Sequence, residues 1–285
     1  MRGARPAAWA VVERAVRDVA RLVVPVSCPG CDLPDVAWCD PCLAPLGGPP
    51  RRAEDGAPRL DRLDGLAPLP VWTLASYAGP LREVVVAWKD RGRADLDRPL
   101  RAAVRAAGRE LAPLLRAAAG PAAGRDGEVR VVPAPSSLGA RRARGREPVV
   151  VLADAFVDGL RSAGCRARTA RVLVRDGPAR DQVGQGSRGR GTRLTAVRPG
   201  RRVRAEPRVR ERAACVVVDD VLTTGATVAA CERALNGAGL AVLGAFVLVA
   251  TPPPRGVRGQ DELVAGGPVG SPVVGAADTR GSGLG

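Results

Sequence analysis

The sequence predicts an α/β protein in which helices flank a parallel sheet, with a small cysteine-rich module in front of it. Three observations lead to this fold class. Apolar, β-branched runs alternate with stretches of helical periodicity, which is the order that produces parallel sheets. One run leads into two adjacent carboxylates and a threonine-rich turn, and ligands of open α/β sheets bind at such strand ends. Two C-x-x-C pairs stand near the N-terminus.

The elements of the main domain follow one another in a regular order. Strands are predicted over 71–77, 129–135, 171–174, 215–218 and 242–250. Helices are predicted over 81–89, 96–119, 149–160 and 228–235. We expect these elements to form one domain over residues 69–250.

Four shorter segments lie outside this domain. We predict an amphipathic helix over 1–24, the cysteine module over 25–44 and a linker rich in proline, glycine and arginine over 45–68. Residues 251–285 are dominated by proline, glycine and serine, and we expect a disordered tail there.

The composition limits the partners and the chemistry. The chain has 285 residues and a net charge of +15, which is almost wholly arginine because Lys89 is the single lysine. A basic surface favours a nucleic acid or another polyanion as partner, and a genome rich in arginine codons is an equal alternative. Histidine is absent, so acid–base work falls to carboxylates or to the substrate, and metal sites to cysteine or oxygen ligands.

The sequence predicts neither a membrane span nor a secreted protein. No apolar run approaches the roughly 18 residues of a transmembrane helix. Charged residues interrupt the apolar N-terminal stretch that a signal peptide would need, namely Glu13, Arg14, Asp18 and Arg21. We therefore expect a cytoplasmic protein.

The stretch from Val216 to Val228 is the most informative part of the chain. Asp219 and Asp220 stand where the apolar strand is expected to end, and the turn that follows consists of Thr223, Thr224, Gly225, Ala226 and Thr227. Consecutive amides before a helix, with threonine hydroxyls beside them, favour a phosphate, and the glycine permits positive φ. The carboxylates suit ribose hydroxyls or Mg²⁺. The pattern predicts a ribose 5-phosphate pocket, and an ordinary strand–turn–helix with a threonine-rich cap is the alternative.

The cysteine pattern predicts a structural Zn²⁺ site. Cys28, Cys31, Cys39 and Cys42 form two C-x-x-C pairs separated by seven residues, and four thiolates are a common structural zinc ligand set. A redox pair would explain only one C-x-x-C, and disulfides are disfavoured without a secretory signal. The isolated Cys165, Cys215 and Cys231 are expected to be small buried apolar residues.

Taken together, these motifs resemble a known family. The acidic and hydroxyl stretch is similar to the signature of type I phosphoribosyltransferases, which bind phosphoribosyl pyrophosphate (PRPP). With the cysteine module, residues 20–250 resemble the ComF/GntX family. Three further segments support the resemblance: Lys89 with Gly92, the strand exit at Pro133–Pro135 with the basic residues after it, and a hood formed by Arg175, Gln182 and Arg190. The chain departs from the family pattern at Arg146, Glu147 and Arg193.

The resemblance implies a PRPP site with Mg²⁺. The 5-phosphate would bind the turn 223–227, and Asp219 and Asp220 would hold the ribose, with Asp220 the preferred proton acceptor. The pyrophosphate would bind a loop of Pro133, Ala134, Pro135 and Ser136, with Arg141, Arg142 and Arg144 nearby. The segment 176–193 would close as a lid.

The resemblance also implies a role in natural transformation, in uptake of single-stranded DNA beside a helicase-like partner. Two alternatives to an active transferase remain open. One is an inactive protein that binds a ribose phosphate or single-stranded DNA through its arginines. The other is a zinc-stabilised module that docks a partner protein.

Overall fold

The fold is given by a computed structural model that describes residues 26–61, 67–120, 128–136, 145–175, 197–200 and 214–252. The predicted N-terminal helix, residues 253–285 of the predicted tail, and the whole of the predicted lid lie outside these ranges.

The described residues form an α/β fold around a mostly parallel sheet, as the alternating pattern predicts. The strands are β1 Arg51–Arg52, β2 Val71–Ser76, β3 Val129–Pro133, β4 Ala167–Thr169, β5 Leu173–Arg175, β6 Val197–Pro199, β7 Ala214–Leu222 and β8 Ala241–Ala250. Six of them make one sheet in the order β1-β2-β8-β7-β3-β4, in which only the β1–β2 pair is antiparallel. β5 and β6 form a separate antiparallel pair.

The described ranges contain five α-helices. They are α1 Asp40–Leu43, α2 Gly79–Asp90, α3 Asp97–Ala119, α4 Pro148–Ser162 and α5 Ala226–Asn236. Proline occupies the first turn of α2 and of α4, where its missing N–H costs nothing. No helix in the described ranges has the length and apolar character to span a bilayer.

The core is built mainly from aliphatic side chains. α3 and α4 approach closely where two glycines meet, because a Cβ on Gly108 would lie 2.5 Å from the carbonyl oxygen of Phe156. Phe156 also stacks on Phe246 of β8 with ring centroids 4.8 Å apart, which joins this helix layer to the sheet. Cys165, Cys215 and Cys231 are buried, as expected for isolated cysteines.

Three predictions of strand position need correction. β7 does not end at Val218, because Val221 and Leu222 continue the ladder with β8 and carry the strand through both aspartates. β4 was missed because it is only three residues long and includes exposed Arg168. The strand predicted over 171–174 is β5, which begins two residues later and pairs with β6 outside the main sheet.

The proline-rich segment between the cysteine module and β2 packs onto the main domain along much of its described length. Residues 51–52 add β1 to the sheet edge, and two 3₁₀ turns follow at Glu54–Gly56 and Pro58–Leu60. Leu46, Ala57 and Leu60 are buried in the common core. Composition alone favoured a linker because these apolar residues are scattered among prolines and arginines. We call residues 54–60 the strap.

Candidate functional site

The two aspartates of the motif lie side by side in the interior. Asp219 and Asp220 are 9% and 3% exposed, and the backbone N–H of Asp220 donates to Asp219 Oδ1 at 2.9 Å. Burial, and then the neighbouring Asp220, raise the pKa of Asp219 above its ordinary value. Two buried carboxyl groups in direct succession are costly, so they require a compensating partner.

That partner is Lys89, which α2 brings over the acid pair. Its Nζ lies 2.8 Å from Asp220 Oδ1 and 2.7 Å from Oδ2. Burial opposes the charge of Lys89, but Asp220 and then Asp219 hold its pKa above the ordinary value. Asp220 Oδ2 is buried and accepts no hydrogen bond of suitable geometry from the described residues, despite the short ion-pair distance. The acid pair therefore keeps an acceptor with unused capacity.

The threonine-rich turn begins directly after β7 and opens to solvent. Thr223 and Thr224 are exposed, and Gly225 has φ 79° and ψ 0°, the left-handed conformation that a glycine adopts without strain. Ala226 N–H donates to Thr224 Oγ1 at 3.4 Å as α5 begins. Thr227 follows in the first turn of α5. The turn thus places two exposed threonines directly before the start of α5.

The turn is also contacted from outside by the strap. The backbone N–H of Arg59 donates to the carbonyl of Thr224 at 2.9 Å. A Cβ on Gly225 would lie 2.7 Å from Leu60 Cγ and 3.1 Å from Ala57 Cβ. Residues of the strap therefore occupy the space beside Gly225 that a larger side chain would need.

The exit of β3 lies beside the acid pair. β3 pairs with β7, and Ala134 N–H donates to the carbonyl of Val218, the residue before Asp219, at 2.8 Å. Pro133, Ala134, Pro135 and Ser136 line one cavity together with Arg175 at the end of β5. Of the residues assigned from sequence to pyrophosphate and hood, these five are described, whereas Arg141, Arg142, Arg144, Gln182 and Arg190 lie outside the described ranges.

The two departures from the family pattern that lie in described residues make structural contacts. Arg146 forms an ion pair with Asp97 and stacks over Trp88, with its guanidinium carbon 5.6 Å from the ring centroid. Glu147 forms an ion pair with Arg171, and both residues line the cavity at the β3 exit. Arg146 is therefore held against α2 and α3, while Glu147 adds a carboxylate to the cavity wall.

The four cysteines of the N-terminal module form a cluster that could hold one metal ion. All four Sγ atoms lie within 4.8 Å of one another, and Cys39 Sγ is 3.6 Å from Cys28 Sγ and 3.5 Å from Cys31 Sγ. Tetrahedral zinc with Zn–S bonds of about 2.3 Å separates its sulfur ligands by about 3.8 Å, so the cluster has the size of a zinc site.

The thiols of this cluster influence one another. Burial and the neighbouring thiols raise the pKa of Cys42. Burial also opposes ionisation of Cys28, but backbone hydrogen bonds at Gly30 and Cys39 outweigh it and lower its pKa to about 7. Four clustered thiols cannot all ionise without a cation, so a Zn²⁺ ion would relieve this repulsion and close the set.

A second cavity lies between the cysteine module and the sheet. It has a volume of about 340 Å³ and is lined mainly by apolar residues of both parts, including Pro41, Leu74 and Leu81. Its two polar side chains, Arg51 and Ser76, are hydrogen-bonded to each other at 2.9 Å. It lacks the convergent polar groups that fix a small ligand.

Comparison with known proteins adds no assignment, since no family model matches the chain and no curated protein matches its sequence. The site is therefore interpreted from its own geometry. Sequence reasoning had not assigned Lys89 or the strap to it. Two signals for Lys89 were available: its segment with Gly92 supports the family resemblance, and it is the single lysine among 44 basic residues.

Proposed function

We propose that this chain is a ComF-like protein that binds PRPP or a related ribose phosphate. The observation that supports the proposal is the placement of a buried acid pair, Asp219–Asp220, just before an exposed hydroxyl-bearing turn that starts a helix. In a parallel sheet this strand end is where ligands bind. The turn suits an anion, and the acid pair suits hydroxyl donors, which is the combination that a ribose 5-phosphate carries.

The turn 223–227 would hold the 5-phosphate through backbone N–H groups and threonine hydroxyls. The ribose hydroxyls would donate to the acid pair, where the unused acceptor of Asp220 Oδ2 offers a place. The cavity at the β3 exit, with Arg175 in its wall, is suitably placed for the diphosphate of PRPP.

Lys89 modifies the role that the sequence indicated for Asp220. A carboxylate held by an ammonium group at 2.7–2.8 Å is a weak proton acceptor, so we propose that Asp220 orients the ribose and that Lys89 fixes Asp220. The same ammonium occupies the position that a cation would take on Asp220. The acid pair is therefore a poor Mg²⁺ site by itself, and we assign any Mg²⁺ to the diphosphate of the ligand.

Calorimetric titration with PRPP and Mg²⁺ tests this function. We expect wild-type protein to bind, and Asp220→Asn to bind at least about tenfold more weakly, because a charged acceptor is replaced by a neutral one. Asp158→Asn is the matched control, since Asp158 is an exposed acid on α4. Absence of heat with the wild type, or equal affinity of all three proteins, contradicts the proposal.

Two further measurements separate the classes of activity. Release of pyrophosphate in the presence of candidate bases distinguishes a transferase from a protein that only binds. The ComF resemblance extends the proposal to uptake of single-stranded DNA with a helicase-like partner. Affinity for single-stranded DNA that falls steeply with rising salt supports this extension, because neutralised phosphates release counterions.

A further inference from the structure

The strap is fixed at its first residue by a buried carboxylate. Glu54 is 7% exposed, and its Oε2 accepts from the backbone N–H of Val71 at 3.1 Å and of Ala53 at 3.3 Å. Arg52 completes the anchor through an ion pair with Glu54. The start of the strap is therefore attached to the edge of the main sheet, so its path toward the turn is defined.

The other end of the strap is attached to the threonine-rich turn. Ala57 and Leu60 are 0% and 3% exposed and pack against Gly225, while the backbone N–H of Arg59 donates to the carbonyl of Thr224. Two buried apolar anchors thus flank Arg59 and hold its backbone within hydrogen-bond distance of the turn.

The side chain of Arg59 is in a different situation from its backbone. It is exposed, and it forms no ion pair or hydrogen bond with another residue of the described ranges. Several other arginines of those ranges have acidic partners, among them Arg52, Arg93 and Arg168. The backbone of Arg59 is bonded to a turn that suits an anion, and its exposed guanidinium, without an acidic partner in the described ranges, keeps its capacity to bind phosphate in bidentate fashion.

A second observation at the same site also indicates a ligand. Asp220, two residues before the end of β7, is buried with Oδ2 accepting no hydrogen bond within the described part of the chain. Lys89 Nζ lies 2.7 Å from this oxygen and offsets its charge, which leaves Oδ2 able to accept a hydrogen bond from a hydroxyl donor as well. The acid pair can thus still accept hydrogen bonds from a ligand, and the turn can still bind an anionic group of the same ligand.

We propose that Arg59 is a ligand-binding residue of this site and that its guanidinium contacts the 5-phosphate held by the turn 223–227. The inference rests on the proposed function and makes the site selective for sugars that carry a phosphate monoester at this position. The strap would act as a structural part of the pocket that places this cation. Sequence alone gives no reason to single out Arg59, which lies about 165 residues from the turn.

The test is calorimetric titration of the full chain with PRPP and Mg²⁺ and, separately, with ribose 5-phosphate. We expect Arg59→Ala to weaken both ligands by about the same factor, near tenfold, because both carry the same phosphate. Arg59→Lys should retain part of the affinity, since it keeps the charge but not the planar fork. Arg109→Ala is the control, an exposed arginine on α3.

The outcomes distinguish this inference from the function on which it rests. Wild-type protein that binds neither ligand contradicts the proposed function, and Arg59 then has no phosphate to contact. Wild-type binding with Arg59→Ala equal to Arg109→Ala overturns only the role of Arg59. If Arg59→Ala loses affinity for PRPP but not for ribose 5-phosphate, the proposed role of Arg59 is also overturned, because the contact would then be with the diphosphate. Equal unfolding temperatures of all variants show that the strap is intact.

Discussion

The cysteine module and the acid-pair site are both clusters of polar groups, but they are assembled in different ways. The four cysteines lie within fifteen residues of chain, and two tight C-x-x-C turns bring their sulfur atoms together. The acid-pair site joins Lys89 to Asp220 across 131 positions, and the strap to the turn across an even longer interval, from Arg59 to Thr224. One cluster depends on local turns, whereas the other exists only when the sheet is complete.

The two clusters also differ in how their charges are balanced. Arg93 lies near Cys28, but a single guanidinium cannot offset four clustered thiolates, so a bound cation would stabilise them. The acid pair has an internal cation, Lys89, whose ammonium offsets the burial of Asp220. We therefore expect metal removal to affect the first cluster and substitution of Lys89 to affect the second.

The largest effect is expected from Cys39→Ser in the cysteine module. Structural Cys₄ sites bind zinc with apparent free energies of roughly 10–16 kcal/mol, and loss of one ligand removes most of that contribution. Elemental analysis should show one zinc per wild-type chain and little in the variant, with faster proteolysis of residues 26–47. Cys165→Ala, at a buried cysteine outside the cluster, should keep its zinc. A wild-type protein without zinc would contradict the metal assignment.

An intermediate effect is expected from Lys89→Met. The substitution leaves Asp220 buried without its counter-charge, and breaking a buried pair from one side costs about 3 kcal/mol. Denaturant unfolding measures the loss. The double variant with Lys89→Met and Asp220→Asn should recover a large part of the lost stability, because no uncompensated charge then remains. If the two losses simply add, Lys89 and Asp220 do not form the pair that the structure shows.

The smallest effect, and one of opposite sign, is expected from Asp219→Asn. Burial raises the folded-state pKa of Asp219 above its unfolded value, so the folded protein holds a proton that the unfolded chain releases. Its contribution to stability is present at low pH and is lost as pH rises through the folded pKa. The asparagine side chain cannot ionise, so the variant avoids this loss. We expect its free energy of unfolding to exceed that of the wild type by about 1–2 kcal/mol at neutral pH and above.

Thermal unfolding as a function of pH measures this prediction. The wild-type melting temperature should fall as the pH rises above the ordinary aspartate range, and the variant should show a weaker fall. PRPP binding by the same variant should weaken, which would mark Asp219 as a residue kept for the ligand at a cost in stability. A variant less stable than the wild type at every pH would contradict this interpretation.

Local sequence patterns were sufficient to predict part of this structure. The α/β class followed from apolar runs alternating with helical stretches, because those periods decide which residues face a core. The cysteine cluster followed from its spacing, since a C-x-x-C turn brings two sulfurs together in any surrounding fold. The same reasoning ended β7 four residues early, because polar Asp219 and Asp220 look like a strand end until β8 is known to pair beyond them.

The sequence by itself therefore determined the class of fold, the cysteine cluster and the adjacency of Asp219 and Asp220. Only the tertiary structure decided that Lys89 neutralises Asp220, that the strap packs on Gly225, and that the β3 exit lies beside the acid pair. The reason is physical: periodicity and turn chemistry act over a few residues, whereas these contacts depend on strand order and on which helix covers which strand end.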